Sequence, residues 1–291
     1  MNAIPTAYAT DWIEYALLDS GDGEKLENFA GYTIIRPDPR AIWKPQQSKT
    51  LWKQADARFI RTDSDHGEWN IKKQPPINWT ITYHDMHFVL HPTDFKHVGI
   101  FPEQAVNWSW MQSIISPNST ILNLFGYTGA ATVAACKAGA HVTHVDSSKP
   151  SITWAHENCE KNDIDIKQTR WIAEDAVKFV IRETNRGNTY DGIILDPPRF
   201  GRGAKGEVWK LADDLPYLLS NLKNILSKKP SFILLNVYTA DLSSLALYNC
   251  MHSVFSSLEG TLTFGELTTK EKNTDRLLPQ GSFVRWQAKK N

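Results

Sequence analysis

TILNLFGYTGAATVAACKAGAHVTHVD, residues Thr120 to Asp146, is the stretch that decides the fold. Its short apolar run, Ile121 to Leu124, predicts a strand. Phe125-Gly126-Tyr127-Thr128-Gly129 predicts a glycine turn, and Ala130 to about Ala138 an Ala-rich helix. His141 to Val145 predicts a second strand, ending on the carboxylate of Asp146. Strand, turn, helix, strand and acid make a parallel βαβ unit suited to a nucleoside-containing ligand. Glycines without a Cβ let the backbone turn tightly and approach the ligand closely. The following helix offers unpaired N–H groups at its N-terminus. Asp146 can accept from both hydroxyls of a ribose, because a carboxylate accepts without donating. The spacing Gly126-x-x-Gly129 differs from Gly-x-Gly-x-x-Gly, which argues against a dinucleotide pyrophosphate. An ordinary βαβ unit with an incidental Asp is the plainer reading of the same residues.

Downstream the alternation continues. Ser148 to Asn162 reads as a helix, and Thr169 to Ala173 as a strand followed by Glu174-Asp175-Ala176 and a helix to about Glu183. Asp191 to Leu195 is a strongly apolar strand ending in Asp196-Pro197-Pro198-Arg199-Phe200. A loop, Gly201 to Gly206, precedes a long predicted helix from about Val208 to Leu226. Phe232 to Val237 is a buried strand and Leu242 to Leu258 a helix. Thr261 to Leu267 and Phe283 to Trp286 close the chain as strands bridged by the polar segment Thr268 to Gly281. Upstream, a helix from about Pro102 to Ile115 carries Val106, Trp110 and Ile114 as its expected core stripe. Residues 93–291 therefore predict a Rossmann-like α/β domain, an open, mostly parallel sheet with an antiparallel edge.

Residues 1–92 differ. They are rich in Trp, Pro, Asp and Lys, with β-like runs at Tyr32 to Ile35, Phe59 to Arg61, Trp69 to Ile71, Trp79 to Tyr83 and His87 to Leu90. Turn signals such as Ser20-Gly21-Asp22-Gly23 and Gln74-Pro75-Pro76 separate them. A small β-rich N-terminal domain is expected. Trp43, Trp52 and Trp69 lie among basic residues, as in a surface that stacks on bases and contacts phosphates. The competing reading, that these tryptophans are core, is the favoured one.

Composition bounds the function. The 291 residues, 41% hydrophobic and 22% charged, are those of a soluble globular protein. No apolar run reaches the length of a membrane span, and no signal peptide is expected at MNAIPTAYATDWIEY. Cys136, Cys159 and Cys250 are read as reduced thiols in a cytoplasm. The nine histidines lack ligand spacing, so no metal is expected. A net charge of zero does not announce a nucleic-acid binder, and nothing specifies an oligomeric state, a homo-oligomer included.

Ligands of open α/β sheets lie beyond the carboxyl ends of the strands. Asn123 to Gly129, Asp146, Asp175 and Asp196 to Phe200 should thus converge on one cleft. Asp175 can bond an adenine amino group or cap its helix, and Ala176 leaves space for a ring. In Asp196-Pro197-Pro198-Arg199-Phe200 two prolines fix the backbone, carbonyls can face a substrate amine, and Phe200 offers a stacking face. Such an arrangement holds a nitrogen in line with an electrophile. A rigid turn without a catalytic role is the alternative.

NLFGYTGAAT, Asp146, Glu174-Asp175-Ala176 and DPPRF resemble class I S-adenosylmethionine-dependent methyltransferases. More narrowly they resemble the bacterial 23S rRNA group acting on cytosine C5 or guanine N7, and KHVGIFPEQ, Lys96 to Gln104, resembles that group's lead-in to the cofactor site. The opening LLDSGDGEKLENFAGYTIIRPDP resembles a subfamily with a small β domain before the catalytic one. The resemblance implies S-adenosyl-L-methionine as cofactor. It implies that Asn123 and Phe125, Gly126, Tyr127, Thr128 and Gly129 hold its methionine part, and that Asp146 with Ser147 binds ribose. Glu174, Asp175 and Ala176 would contact adenine, Phe101 would close the pocket, and Asp196, Pro197, Pro198 and Phe200 would face the acceptor, Asp196 counting among the cofactor-binding residues as well. Cytosine-C5 members attack with a cysteine in or after the DPP loop, and none stands there. Nitrogen methylation of RNA, without a covalent step, is therefore expected. A methyltransferase for protein or small molecules, and a binding module without turnover, are the alternatives. The Gly201 to Gly206 loop, cationic beside the expected acceptor site, favours RNA.

Overall fold

The computed structural model describes residues 5–62, 66–202, 206 and 208–289. These form two compact units. One comprises the N-terminus up to Ala7, Val106–Leu267 and the chain from Gly281 onward; the other comprises Tyr8–Ala105 and Thr268–Gln280. The contacts thus divide the chain after Ala105, not at 92/93, and assign the tip of the C-terminal hairpin to the β-rich unit.

The first unit is built on an eight-stranded sheet. Its strands are β1 (Thr6–Ala7), β2 (Thr120–Leu124), β3 (His141–Asp146), β4 (Thr169–Ala173), β5 (Gly192–Leu195), β6 (Phe232–Val237), β7 (Gly260–Lys270) and β8 (Leu277–Ala288). They lie in the order β1-β7-β8-β6-β5-β2-β3-β4. Ile121, Leu122 and Leu124 of β2 are fully buried, as are Ile193 and Leu195 of β5, which is the pattern of parallel strands covered on both faces. Leu124 pairs with Val145 on one side and with Leu195 on the other. The chain therefore leaves β2, β3 and β5 at one level. The antiparallel edge is present: β8 pairs with β6, Leu235 opposite Val284. Beyond it β1, not anticipated from the sequence, pairs parallel with β7.

Helices α1 (Ala105–Gln112), α2 (Ala130–Lys137), α3 (Lys149–Lys161), α4 (Ala176–Arg186), α5 (Leu211–Leu222) and α6 (Ser244–Phe255) complete the main elements. α5 buries Leu211, Leu215, Leu218, Leu219 and Leu222, an apolar stripe at helical spacing, in one core with Phe179 and Val180 of α4. Two sequence expectations shift. The stripe of α1 is not Val106, Trp110 and Ile114, which are half-buried; Trp108, Met111 and Ile115 are buried. The segment Val208 to Lys210 is not helix. It pairs antiparallel with Phe200–Arg202, and the helix starts at Leu211. The expected Gly201 to Gly206 loop falls partly on residues outside those described.

In the second unit five strands stand in the order Tyr15–Gly21, Glu24–Phe29, Tyr32–Pro37, Ala57–Arg61 and Gly67–Ile71. A hairpin, Thr80–Tyr83 with Met86–Val89, accompanies them. Trp43, Trp52 and Trp69 are half-buried, and their indole N–H groups donate to the Ser20 carbonyl (3.0 Å), Asp19 Oδ2 (2.8 Å) and the Thr93 carbonyl (2.8 Å). They are tied into the fold, in line with the core reading. At the centre Arg36 donates Nε to Glu27 Oε2 (2.7 Å) and Nη2 to Oε1 (2.8 Å), while Tyr15 donates its hydroxyl to Oε1 (2.9 Å). Burial alone would raise the Glu27 carboxyl; Arg36 and Lys25 overcome it and hold the group below its ordinary 4.5.

The sign of that shift gives a prediction. The pair's contribution is present above the ordinary glutamate value and is lost as pH falls through the lowered folded one. Glu27→Gln leaves Arg36 buried without its counter-charge, so it should destabilise by about 3–5 kcal/mol and flatten the acid limb of the stability curve. Urea unfolding across pH measures both. An unchanged acid limb would reject the assignment.

Candidate functional site

The turn after β2 is held from below by hydrogen bonds. Phe125 (φ 58°) and Tyr127 (φ 48°) are both left-handed without being glycine. Each such residue costs about 1–2 kcal/mol. What fixes them is visible: Gly126 N–H donates to the Val145 carbonyl (3.1 Å), Gly129 N–H to the Gly126 carbonyl (3.0 Å), and Tyr127 N–H to Asp146 Oδ2 (2.8 Å). The other oxygen of Asp146 accepts from Ser148 N–H (2.8 Å), just before α3. Burial raises the Asp146 carboxyl, while the bonds from Ser148, Tyr127 and Ser147 pull it down; the net direction is up.

The two glycines have distinct reasons. A Cβ on Gly126 would lie 2.4 Å from the His144 ring, and one on Gly129 2.7 Å from the Ala155 Cβ. Gly129 is also left-handed (φ 81°), where glycine carries no penalty. His144 is fully buried, and burial pushes its pKa down to about 3, so the imidazole is neutral. Its Nδ1 shares a 2.9 Å hydrogen bond with Thr132 Oγ1, which also accepts from Asn123 Nδ2 (2.9 Å). Asn123 is 1% exposed and supports the turn from the core side. Thr128 is likewise buried, its carbonyl accepting from Asn158 Nδ2 (2.8 Å).

β4 pairs with β3, Ala173 opposite Asp146, so Glu174 and Asp175 follow at the same level. Asp175 caps α4, its Oδ1 accepting from Lys178 N–H (2.9 Å), and remains half-buried. Glu174 accepts from Arg182 Nη1 (2.6 Å). Ala176 is buried and Ser147 exposed. Phe101 belongs to the β-rich unit, its ring 5.1 Å from that of His97.

On the other side of β2, Asp196 N–H donates to the Leu124 carbonyl (3.4 Å). The first and fourth parallel strands are therefore neighbours, and Asp146 and Asp196 leave the sheet on either side of the turn. Trp209, which sequence reasoning passed over, joins the two walls. Its ring lies 5.1 Å from that of Phe125 and its Nε1 donates to the Pro198 carbonyl (2.7 Å). That carbonyl thus already accepts one bond from within the protein. The signal was a lone buried tryptophan in a polar, cationic stretch. Pro197 is buried and Pro198 exposed; Phe200 is 51% exposed, with the Arg202 guanidinium 5.9 Å from its ring.

The donor set fits a nucleoside cofactor. Asp146 accepts from backbone N–H groups with both oxygens, and its side chain is only partly buried, so an acceptor position remains for a ligand hydroxyl. No group of three His, Cys, Asp or Glu side chains among the described residues could hold a metal ion.

A family profile described as S-adenosylmethionine-dependent methyltransferase matches residues 16–240. The chain belongs to that family. It is 38% identical to the SAM-dependent methyltransferase of Agrobacterium tumefaciens, whose crystal structure superposes with a TM-score of 0.93 over 99% of this chain and 95% of that one. SMU.776, solved in complex with SAH, shares the fold (TM-score 0.76, 20% identity, 94% of this chain and 75% of that one). Ribosomal RNA large subunit methyltransferase K/L of Vibrio cholerae is 29% identical over 158 residues, 54% of this chain but 22% of that protein.

For this family member the turn geometry yields a prediction. Asp146→Ala removes the acceptor of the backbone N–H groups of Tyr127 and Ser148 and, with it, the expected diol partner. The affinity for SAH should fall at least tenfold, about 1.4 kcal/mol or more, with a lower Tm. Calorimetry and thermal shift read the two effects. Wild-type affinity in the variant would end the ribose assignment.

Proposed function

We propose that this chain transfers the methyl group of S-adenosylmethionine to a nitrogen of an RNA base, with large-subunit rRNA as the leading substrate. The observation that carries the reading is the adjacency of the two cleft walls, Leu195 beside Leu124, which sets the acceptor loop next to the cofactor turn. When bound, the cofactor supplies an electrophilic methyl carbon on a sulfonium. The protein's work is orientation. Asp146 holds the ribose and the backbone from Phe125 to Gly129 cradles the methionine part. Glu174, Asp175 and Ala176 border the adenine. The Asp196 carboxylate accepts an N–H of the substrate amine and so turns its lone pair toward the methyl group, while Phe200 offers its exposed ring to the base.

A nitrogen acceptor is supported by the thiols. Cys136 and Cys159 lie in α2 and α3 and are buried, and burial pushes them up to about 11 and about 12; Cys250 lies in α6 and is raised as well. Such thiols are poor nucleophiles at neutral pH. RNA is supported by what the relatives are named for, and by the exposed Arg199, Phe200 and Arg202 at the acceptor loop. The zero net charge favours the second reading, a protein or small-molecule acceptor.

Incubation with tritiated cofactor and separate pools of rRNA, protein and metabolites, followed by nucleoside mass spectrometry, tests this. Label is expected in rRNA, on a base nitrogen. Asp196→Ala should lower kcat by about 100-fold or more, the scale of a lost positioned proton acceptor, while SAH affinity stays within about threefold, under 0.7 kcal/mol. Undiminished turnover in that variant, or label confined to another pool, would refute the corresponding part of the reading.

A further inference from the structure

Three polar side chains form a chain of hydrogen bonds between α1 and the large sheet. Arg285 of β8 donates Nε to Asn107 Oδ1 (2.9 Å) and Nη2 to the same oxygen. Asn107 of α1 donates Nδ2 to Asn236 Oδ1 of β6 (2.8 Å). Asn107 is fully buried and Asn236 is 2% exposed. The direction of this chain is fixed from one end. Arginine has only donors, so the Asn107 oxygen faces it and the Asn107 NH2 faces Asn236. Asn236 meets that NH2 with its oxygen, which leaves its own NH2 as the free end. Among the described residues Asn236 Nδ2 has no hydrogen-bond partner, and it is not sealed from solvent. Burial pushes the Arg285 guanidinium down to about 10, so it stays cationic at neutral pH. The rings of Trp110 and Phe283 lie 4.8 and 4.4 Å from it.

The sheet register places the free NH2. Leu195 of β5 pairs with Leu235 of β6, and both leucines belong to the core on the other face of the sheet. One residue on, Asn236 turns to the α1 face and stands level with Asp196, the first residue past β5. Neighbouring strands lie about 4.8 Å apart. The open end of the sheet thus carries an acceptor, the Asp196 carboxylate, and a donor, the Asn236 amide, on adjacent strand ends. Such a pair complements a base edge on which an exocyclic amine adjoins an unprotonated ring nitrogen. Adenine N6 with N1, cytosine N4 with N3, and guanine N2 with N3 are edges of this kind. Guanine N7 adjoins O6, and both are acceptors, so that edge does not match.

We infer that Asn236 binds the base to be methylated, donating from Nδ2 to the ring nitrogen beside the amine whose N–H Asp196 accepts. Asn107 and Arg285 are positioning residues that fix the orientation of the Asn236 amide. The methylated atom is then an exocyclic amine. This inference rests on the RNA function proposed above.

The full-length protein is assayed with tritiated S-adenosylmethionine and large-subunit rRNA transcribed in vitro, and the labelled nucleoside is identified by mass spectrometry. Asn236→Asp keeps an oxygen for Asn107 and exchanges the donor for an acceptor. It should lower kcat/KM for the RNA by about tenfold or more, chiefly through KM, the scale of one lost hydrogen bond. SAH affinity, read by calorimetry, should stay within about threefold. Asn236→Ser removes the amide without adding charge; the same pattern is expected, and it serves if Asn236→Asp does not fold. Arg285→Met should lower kcat/KM by about fivefold or more in the otherwise native protein, but by less than about twofold on top of Asn236→Ser, where no amide is left to orient. A purely structural role of Arg285 would cost the same in both backgrounds. The methyl group should be found on an exocyclic amine. Native kcat/KM in the Asn236 variants, equal costs of Arg285→Met in the two backgrounds, or methyl on guanine N7 overturns the inference. So does a loss of SAH affinity of about tenfold in the Asn236 variants, which would give the donor to the cofactor's carboxylate. Each of these outcomes leaves the RNA function standing. Native protein that labels no RNA refutes that function and this inference with it.

Discussion

One carboxylate holds the turn after β2 in shape. Asp146 accepts from the backbone of Tyr127 with one oxygen and from that of Ser148 with the other. The first bond secures a turn in which two non-glycine residues stand in the left-handed region; the second sets the entry to α3. Side chain, turn and helix start are thus one unit. The same acid that is proposed to hold the ribose is the one that keeps the backbone beside it in an otherwise unfavourable conformation, so a substitution here acts on local folding as well as on the proposed binding.

The parallel register extends that constraint across the sheet. β2 lies between β3 and β5, and the topological break between β2 and β5 opens the crevice where such sheets take their ligands. Trp209 then closes the underside of the crevice by touching Phe125 and bonding the Pro198 carbonyl. The acceptor loop is therefore positioned by a short hairpin and an indole, as well as by its own prolines. In the proposed reaction, fixing it before substrate arrives lowers the ordering cost of an in-line transfer.

Much of this was legible in the chain. The run from Thr120 to Asp146 announced its turn because glycines and an acid sit at fixed offsets from apolar strands, and Thr169–Ala173 was read residue for residue. The losses have physical causes. α1 is apolar on two faces, so periodicity could not choose between Val106, Trp110, Ile114 and the stripe that is buried. Tyr15–Gly21 and Glu24–Phe29 were missed because Lys25 and Glu27 look like surface; they are buried by pairing with each other and with Arg36. Thr268–Gln280 looked like a polar linker for the same reason, since Glu271 accepts from Ser20 Oγ (2.7 Å) and Gln280 from Lys25 Nζ (3.3 Å). Three residues around Trp209 are too few to reveal any period. Of the site, the acids and the turn could be read; that Asn123 faces inward and that Pro198 is already bonded could not, because both depend on partners distant in sequence.

The path of the last hairpin has a consequence for how such a chain can be divided. β7 and β8 start and finish in the large sheet, yet their tip carries Leu278, fully buried against Leu17 and Ala41 of the other unit's own core. No single cut yields two complete pieces. A fragment beginning at Val106 would bring that leucine along bare and leave a hole at Leu17, so shuffling the front module between relatives by simple exchange of N-terminal segments breaks an interior on each side of the junction.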